Sequence, residues 1–231
     1  MLTIEQYIPI VKFLGEALGN NYEIALHDLT KPESSIVAIA NGELSGRSVG
    51  GPVTDFVLKV LKKGNIEHRP YLCNYHAKDN KGHVSLSSSF FIHDEKNKTI
   101  GVLCINHNIS PYLTARKFLS DEIIHDETDN DNFFTTGDTT HNGSPSGSLN
   151  IFENFQGTVG DVIETLINSA LEKYPVSPER LSLEERLSII QELNDNGLFL
   201  LKGGIPALAA SLDVSEPTVY RYLSKIKKES E

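Results

Sequence analysis

Cysteine is almost missing from this chain: only Cys73 and Cys104 occur among 231 residues. Two are too few for a disulfide framework and fit a reducing compartment, with both side chains serving as small apolar residues. Long apolar runs are missing too, none approaching the roughly 18 residues needed to cross a bilayer. The opening MLTIEQYIPIVKFLGEALG lacks the basic flank and small-residue cleavage site of a secretory signal. A cytoplasmic protein without membrane contact is expected. Internal repeats are absent as well. With 39% hydrophobic and 23% charged residues, the composition excludes wholesale disorder and fibrous architectures. A chain of this length most naturally holds two modules.

An excess of positive charge is also lacking, since the net charge is -10. Its distribution matters more than its total. Between residues 118 and 172 there are eleven acids and no Lys or Arg; outside that stretch 21 basic residues face 20 acidic ones. Phosphate binding depends on local charge, and Arg221, Lys225, Lys227 and Lys228 against the lone Glu216 make 215–228 basic. The acidic average therefore does not exclude nucleic acid.

Periodicity predicts a first helix from the Thr3/Gln6 capping box onward, with Ile4, Ile8, Val11 and Leu18 near helical spacing. Strand-like runs at 22–29 and 35–41 form a hairpin around Thr30-Lys31-Pro32. A helix follows from Pro52 to about 63, then strands at 70–76, 83–93 and 99–107 and a helix at 112–125. This order predicts an α+β protein: a PAS-like antiparallel sheet with helices on one face, followed by an all-α helix-turn-helix domain. The expected divisions are a sensor domain at 1–115, an acidic linker with an amphipathic connecting helix at 116–178, and a DNA-binding domain at 179–231. Residues 126–157, rich in Asp, Asn, Thr, Gly and Ser, read as linker. The amphipathic stripe Val159, Val162, Ile163, Leu166, Ile167, Ala170 and Leu171 must be buried, either within the chain or in a dimer seam.

Ser182 and Glu185 open a supporting helix with Leu183, Leu187, Ile190 and Leu193 inward and Gly197 as its stop. A short helix from Pro206 and a last helix capped by Ser215 then meet the steric demands of a helix-turn-helix. Ala209 is small where the helices cross, and Leu208, Leu212, Val214, Val219 and Tyr222 form the wedge. Asp213 stands at the turn position usually given to glycine, and Asp tolerates a left-handed backbone better than most residues. Residues Ser215, Glu216, Pro217, Thr218, Tyr220, Arg221 and Lys225 then point toward double-stranded DNA. Arg221 suits a guanine edge, whereas Ser215, Thr218, Tyr220 and Lys225 suit phosphates. One such unit reads few base pairs, so a homodimer or higher homo-oligomer is expected.

Several blocks together resemble the YheO-like PAS regulators that carry a DauR-type helix-turn-helix. They are ALHDL at 25–29, GRSVGGPVTDFVL at 46–58, SLSSSFFIHD at 85–94, GVLCINHN at 101–108 and LKGGIPALAASLDVSEPTVYRYL at 201–223. The resemblance implies a bacterial transcriptional regulator with an amino-terminal signal-input domain. It departs at Ser89, where Thr is expected, and at His107-Asn108, where an aromatic followed by Asp is commoner. Strand alternation puts polar His27, Tyr75, Ser88 and Asn106 among apolar neighbours as candidate contacts for a small-molecule effector, with Asp28 and Arg47 nearby in sequence.

Other chemistries have weaker support. Cys73-x-x-His76 and Cys104-x-x-His107 imitate a zinc pattern, but residues three apart on a strand point to opposite faces unless a bulge intervenes. No run typical of haem or dinucleotide binding is present, so no cofactor is expected. A hydrolase built on Ser87–Ser89 with His83 or His93 lacks a nucleophile-elbow sequence and a third orienting group, so the chain reads as non-enzymatic. The alternative reading is a non-DNA signalling adaptor built on a PAS-like dimerisation module.

Overall fold

The computed structural model describes residues 3–63, 69–123 and 152–229. The strands are β1 (Tyr22–Asp28), β2 (Ile36–Ala40), β3 (Tyr71–Asp79), β4 (Val84–His93), β5 (Thr99–Asn108) and β6 (Phe152–Phe155). They form one sheet in the order β2-β1-β5-β4-β3-β6. β1 to β5 pair antiparallel, as expected, and β6 joins β3 in parallel, so the sheet is mixed. The helices are α1 (Ile8–Leu18), α2 (Asp55–Lys63), α3 (Ser110–Ile123), α4 (Val159–Leu171), α5 (Leu183–Asp195), α6 (Gly204–Ser211) and α7 (Glu216–Glu229).

Alternation along the strands sorts the residues onto two faces. The inner face is built from cross-strand rows. Ala25, Cys104, Ser89 and Leu72 form one, and Glu23, Asn106, Ser87 and Tyr75 form the next. α2 and the carboxyl-terminal helices cover this face. Phe56, Val57, Leu58 and Val60 of α2 join Phe91 and Val102 of the sheet, Leu193 of α5, Leu208 of α6 and Val219 of α7 in one apolar cluster. The α+β class and PAS-like sheet hold, but α1 lies on the opposite face. There Ile4 and Val11 pack on Ile24, Leu26, Ile92 and Leu103.

Several termini follow local capping chemistry. α2 starts three residues later than Pro52 suggests, because Thr54 Oγ1 accepts the Val57 N–H at 3.2 Å and acts as the cap. Thr158 and Asp161 cap α4 reciprocally, at 3.2 and 3.1 Å. Ser182 and Glu185 do the same for α5, at 3.2 and 2.7 Å. Gly197 follows α5 at φ 84°, and a side chain there would meet the Leu58 carbonyl at 3.1 Å, so the end of α5 abuts α2. Leu183, expected inward, is half exposed in the first turn.

Of the two alternatives for the stripe on α4, burial within the chain holds: Val162, Ile163, Leu166, Ile167 and Ala170 are buried in the core cluster, so this face is not a dimer seam. One expectation is corrected. Within the segment read as linker, residues 152–155 form an edge strand that brings Glu153 onto the inner face. Most of that segment, 126–151, lies outside the described residues.

Because the sheet and the carboxyl-terminal helices share a core, Leu193→Ala in α5 should destabilise both together. The expected loss is about 2–5 kcal/mol. Urea unfolding followed by far-UV circular dichroism and by tyrosine fluorescence should show one earlier, coincident transition.

Candidate nucleic-acid interface and inner-face polar site

α6 and α7 are joined by a turn at residues 212–215 in which Asp213 adopts φ 50°, the left-handed conformation expected there. The Val214 N–H donates to the Ala209 carbonyl at 3.0 Å, closing the turn on the small residue. Leu208, Ala209, Leu212 and Val219 are buried between the helices, and Val214 and Tyr222 pack against them. The opposite side of α7 faces outward. Ser215, Glu216, Pro217, Tyr220, Arg221 and Lys225 are exposed, and Thr218 is half-buried with its hydroxyl 3.0 Å from that of Ser215. The guanidinium of Arg221 lies 5.7 Å from the Tyr222 ring centroid. Six of the seven residues singled out from the sequence are thus exposed, and the seventh is half-buried.

The second site is a band of polar groups on the inner sheet face. Glu23 accepts from the Arg47 guanidinium and the Ser45 hydroxyl, and from Asn106 Nδ2 at 3.0 Å. Arg47 reaches this position from the loop after β2, and its guanidinium stacks 4.3 Å over the Phe155 ring. Burial opposes its charge, but the Glu23 and Glu153 carboxylates outweigh that and hold its pKa above the ordinary value. Glu153 accepts from Thr54 Oγ1 at 2.5 Å and from the Tyr75 hydroxyl at 3.0 Å. Tyr75 continues to Ser89 Oγ at 2.8 Å, and Ser89 to Cys104 Sγ at 3.3 Å. Burial raises the Glu153 pKa to about 7, against the opposing pull of Arg47 and Thr54. Burial likewise raises the Tyr75 hydroxyl and brings the Cys104 thiol to about 12.

Of the effector candidates, His27, Tyr75 and Asn106 lie buried on this face, while Ser88 lies on the other. Ser88 Oγ accepts the Asn74 N–H at 3.2 Å, and it is Ser87 and Ser89 that turn inward. His27 Nδ1 is 2.8 Å from Ser35 Oγ. Burial, reinforced by Arg47, lowers its pKa to about 3, so the ring is neutral at physiological pH. Its Nε2, Asn106 Oδ1 and Ser87 Oγ are buried with no hydrogen-bond partner. Glu23 and Glu153 went unread in the sequence because acids are rare in sheet cores. For Glu23 the signal available was its inward-facing step on an alternating strand, whereas the strand of Glu153 is too short to give one.

The zinc imitation does not assemble. Cys104 lies on the inner face and His107 on the outer, where His107 stacks on Tyr22 at 4.2 Å. A bulge between Leu72 and Tyr75 does interrupt β3, with Asn74 at φ 58°, and Cys73 is exposed there. Among the described residues no three His, Cys, Asp or Glu converge to hold a metal ion. For the serine cluster, His83 Nδ1 is engaged by Asp79 at 2.7 Å. Among the described residues no helix is long and apolar enough to cross a membrane.

Comparison with known proteins finds two family matches along the chain. Residues 2–124 match the YheO-like PAS domain, and residues 162–224 match an HTH domain that begins within α4. An uncharacterized protein of Haemophilus influenzae is 29% identical, covering 99% of this chain and 93% of that protein. Protein YheO of Escherichia coli is 26% identical over 97% of this chain and 85% of its own length. The transcriptional regulator DauR of Pseudomonas aeruginosa is 24% identical, over 98% and 95% respectively.

The raised pKa of Glu153 sets a pH dependence. Its folded value, about 7, lies above the ordinary 4.5, so the folded state holds the extra proton between those limits. Its contribution to stability should therefore be greatest below about pH 4.5 and fall as the pH rises toward 7. The loss is on the order of 3 kcal/mol at most. Glu153→Gln should remove that slope, read as the difference between wild-type and variant urea midpoints from pH 5 to 8.

Proposed function

The chain belongs to the YheO-like PAS family, and from that premise we propose that it is a bacterial transcriptional regulator. In this reading α7 binds operator DNA as part of a dimer, and the inner sheet face senses a small molecule. The observation that carries the reading is the α6–α7 pair. Its apolar wedge packs inside the protomer, while Ser215, Glu216, Pro217, Tyr220, Arg221 and Lys225 are left exposed. The match to an HTH domain and the likeness to a protein named as a transcriptional regulator support it. Regulator modules of this kind do no chemistry of their own, and DNA binding places the protein in the cytoplasm.

The exposed chemistry assigns roles. The Arg221 fork suits a guanine edge in the major groove. Ser215, Thr218 and Tyr220 offer hydroxyls to phosphates, and Lys225 supplies charge. Glu216 and Pro217 start the helix and set its approach. A two-fold pair reads two half-sites. Since α4 is consumed within the chain, the apolar side chains available for pairing include Tyr112, Phe118 and Leu119, which stand exposed on α3. Effector binding falls to His27, Tyr75 and Asn106, with Ser88 contributing only through the backbone of the β3 bulge.

Arg221→Ala should relax preference at one base position, at a cost of about 1–3 kcal/mol on the preferred sequence. Lys225→Ala should weaken all duplexes alike and lower the salt slope of log K by about 1. Fluorescence anisotropy across a randomised operator library reads both. Failure of the wild type to bind any duplex at low salt would defeat the regulator reading in favour of an adaptor. Sedimentation should give twice the protomer mass for the wild type and the protomer mass for Phe118→Glu.

A further inference from the structure

On the outer face of the sheet α1 packs on β1 and β2, and its cover thins toward β3. There Tyr71 and Phe90 stand opposite each other in register, 56% and 44% exposed. From Phe90 the outward positions lead along β4 and β5 through Leu86 and Ile105, both half-buried, to His107. His107 meets the Tyr112 ring at 5.6 Å, and Tyr112, Phe118 and Leu119 then stand exposed along α3. We infer that this surface seats a second copy of the chain, two protomers pairing outer face to outer face through β3, β4, β5 and α3. The inference rests on the reading of the chain as a dimeric regulator and adds the surface through which the copies meet.

The area is of the size a dimer needs. An aromatic side chain carries roughly 150–250 Å2, and about half of each of Tyr71, Phe90, Tyr112 and Phe118 is open, so these four offer on the order of 400 Å2. That is about half of the roughly 800 Å2 each partner brings to a standard interface, before Leu119, Leu86 and Ile105 are added. A two-fold axis through such a surface sets aromatic against aromatic, so the face is complementary to itself.

Charge favours a copy as the occupant. The chain carries 31 acids and a net charge of -10, so two copies repel each other over most approaches. The outward positions from Tyr71 to Lys78, from Leu86 to Phe90 and at Ile105 and His107 hold no acid, and neither do residues 110–119 of α3. Lys78, Arg116 and Lys117 are the cations of this surface, on long stems that can turn outward to water. Two acidic chains meet here at the least Coulombic cost. The chain's own segment 126–150 is a poorer cover, with five acids and only Phe133, Phe134 and Leu149 as large apolar residues.

The test is sedimentation of the full-length protein at micromolar concentration. The wild type should give twice the protomer mass. Phe90→Glu sets like charges against each other across the axis and should raise the dimer dissociation constant at least tenfold, with an unchanged far-UV circular dichroism spectrum. Tyr71→Glu, at the more exposed position, should do the same if the first variant fails to fold. Val176→Glu, which alters an exposed apolar residue between α4 and α5, should leave the dimer intact. By anisotropy, Phe90→Glu should bind a two-site duplex at least tenfold more weakly and a half-site duplex as the wild type does. A wild-type protomer mass, or a dimer of wild-type strength in the folded Phe90 and Tyr71 variants, would overturn the proposal. So would loss of pairing in Phe118→Glu alone, which confines the seam to α3, or equal loss in Val176→Glu. Pairing that depends on Phe90 in a protein that binds no duplex would support this surface and sink the regulator reading instead.

Discussion

Glu153 places a carboxylate inside an apolar core, where it needs partners, and it finds them on separate parts of the chain. Thr54 donates from the start of α2, Tyr75 donates from β3, and β6 itself is held in parallel register against β3, with Glu153 opposite Ala77. Asp55 adds a parallel tie, accepting from the Asn154 backbone N–H at 3.0 Å and from its side chain at 2.7 Å. The same threonine that serves the carboxylate also caps α2. One buried acid thus fixes the edge strand, the start of the central helix and the tyrosine that begins the run through Ser89 to Cys104. Truncating a partner of such a group costs more than the bond itself, because the survivor is left buried and unsatisfied.

From there the organisation of the molecule follows through α2. Its apolar residues lie between the inner sheet face and the carboxyl-terminal helices, and the Leu58 carbonyl sits against Gly197 at the end of α5. A second connection bypasses the core: Glu33, in the turn between β1 and β2, accepts the Lys202 N–H at 2.6 Å just before α6. Sheet and DNA-facing helices therefore share both packing and hydrogen bonds. A ligand on the inner face can bias α7 only through a difference in its contacts between two arrangements of these parts. α2 is the element whose movement would change both sets of contacts at once.

Much of this was legible in the residues. Alternation located β1 to β5 to within a few positions, because each strand buries at least one face and its period shows. An apolar stripe marked α4, a capping pair marked α5, and the wedge from Leu208 to Tyr222 marked the helix pair. What escaped notice has physical causes. β6 is four residues long, too short to display a period, and it follows a long polar stretch. Three consecutive serines give no phase to tell Ser88 from its neighbours; pairing of Ser87 with Asn106 and Ser89 with Cys104 supplies it. That Glu23 and Asp79 line one small pocket could not be seen at all, since only the strand order brings β1 and β3 into one sheet.

The turn before α7 carries a further constraint. Asp213 holds a left-handed backbone, φ 50°, that costs an ordinary L-residue roughly 1–2 kcal/mol. Its exposed carboxylate and that of Glu216 favour the positive end of the helix dipole. The same two charges repel phosphate. Along the exposed strip through Lys225 they cancel Arg221 and Lys225, and the helix becomes basic only where Lys227 and Lys228 follow in the sequence. The acids that stabilise the start of α7 therefore weaken its sequence-independent attraction to DNA. A recognition helix so balanced gains less from counterion release and relies more on base contacts. In the proposed dimer, useful affinity comes from joining two such weak units, and symmetry between copies is then part of the binding energy rather than an accessory to it.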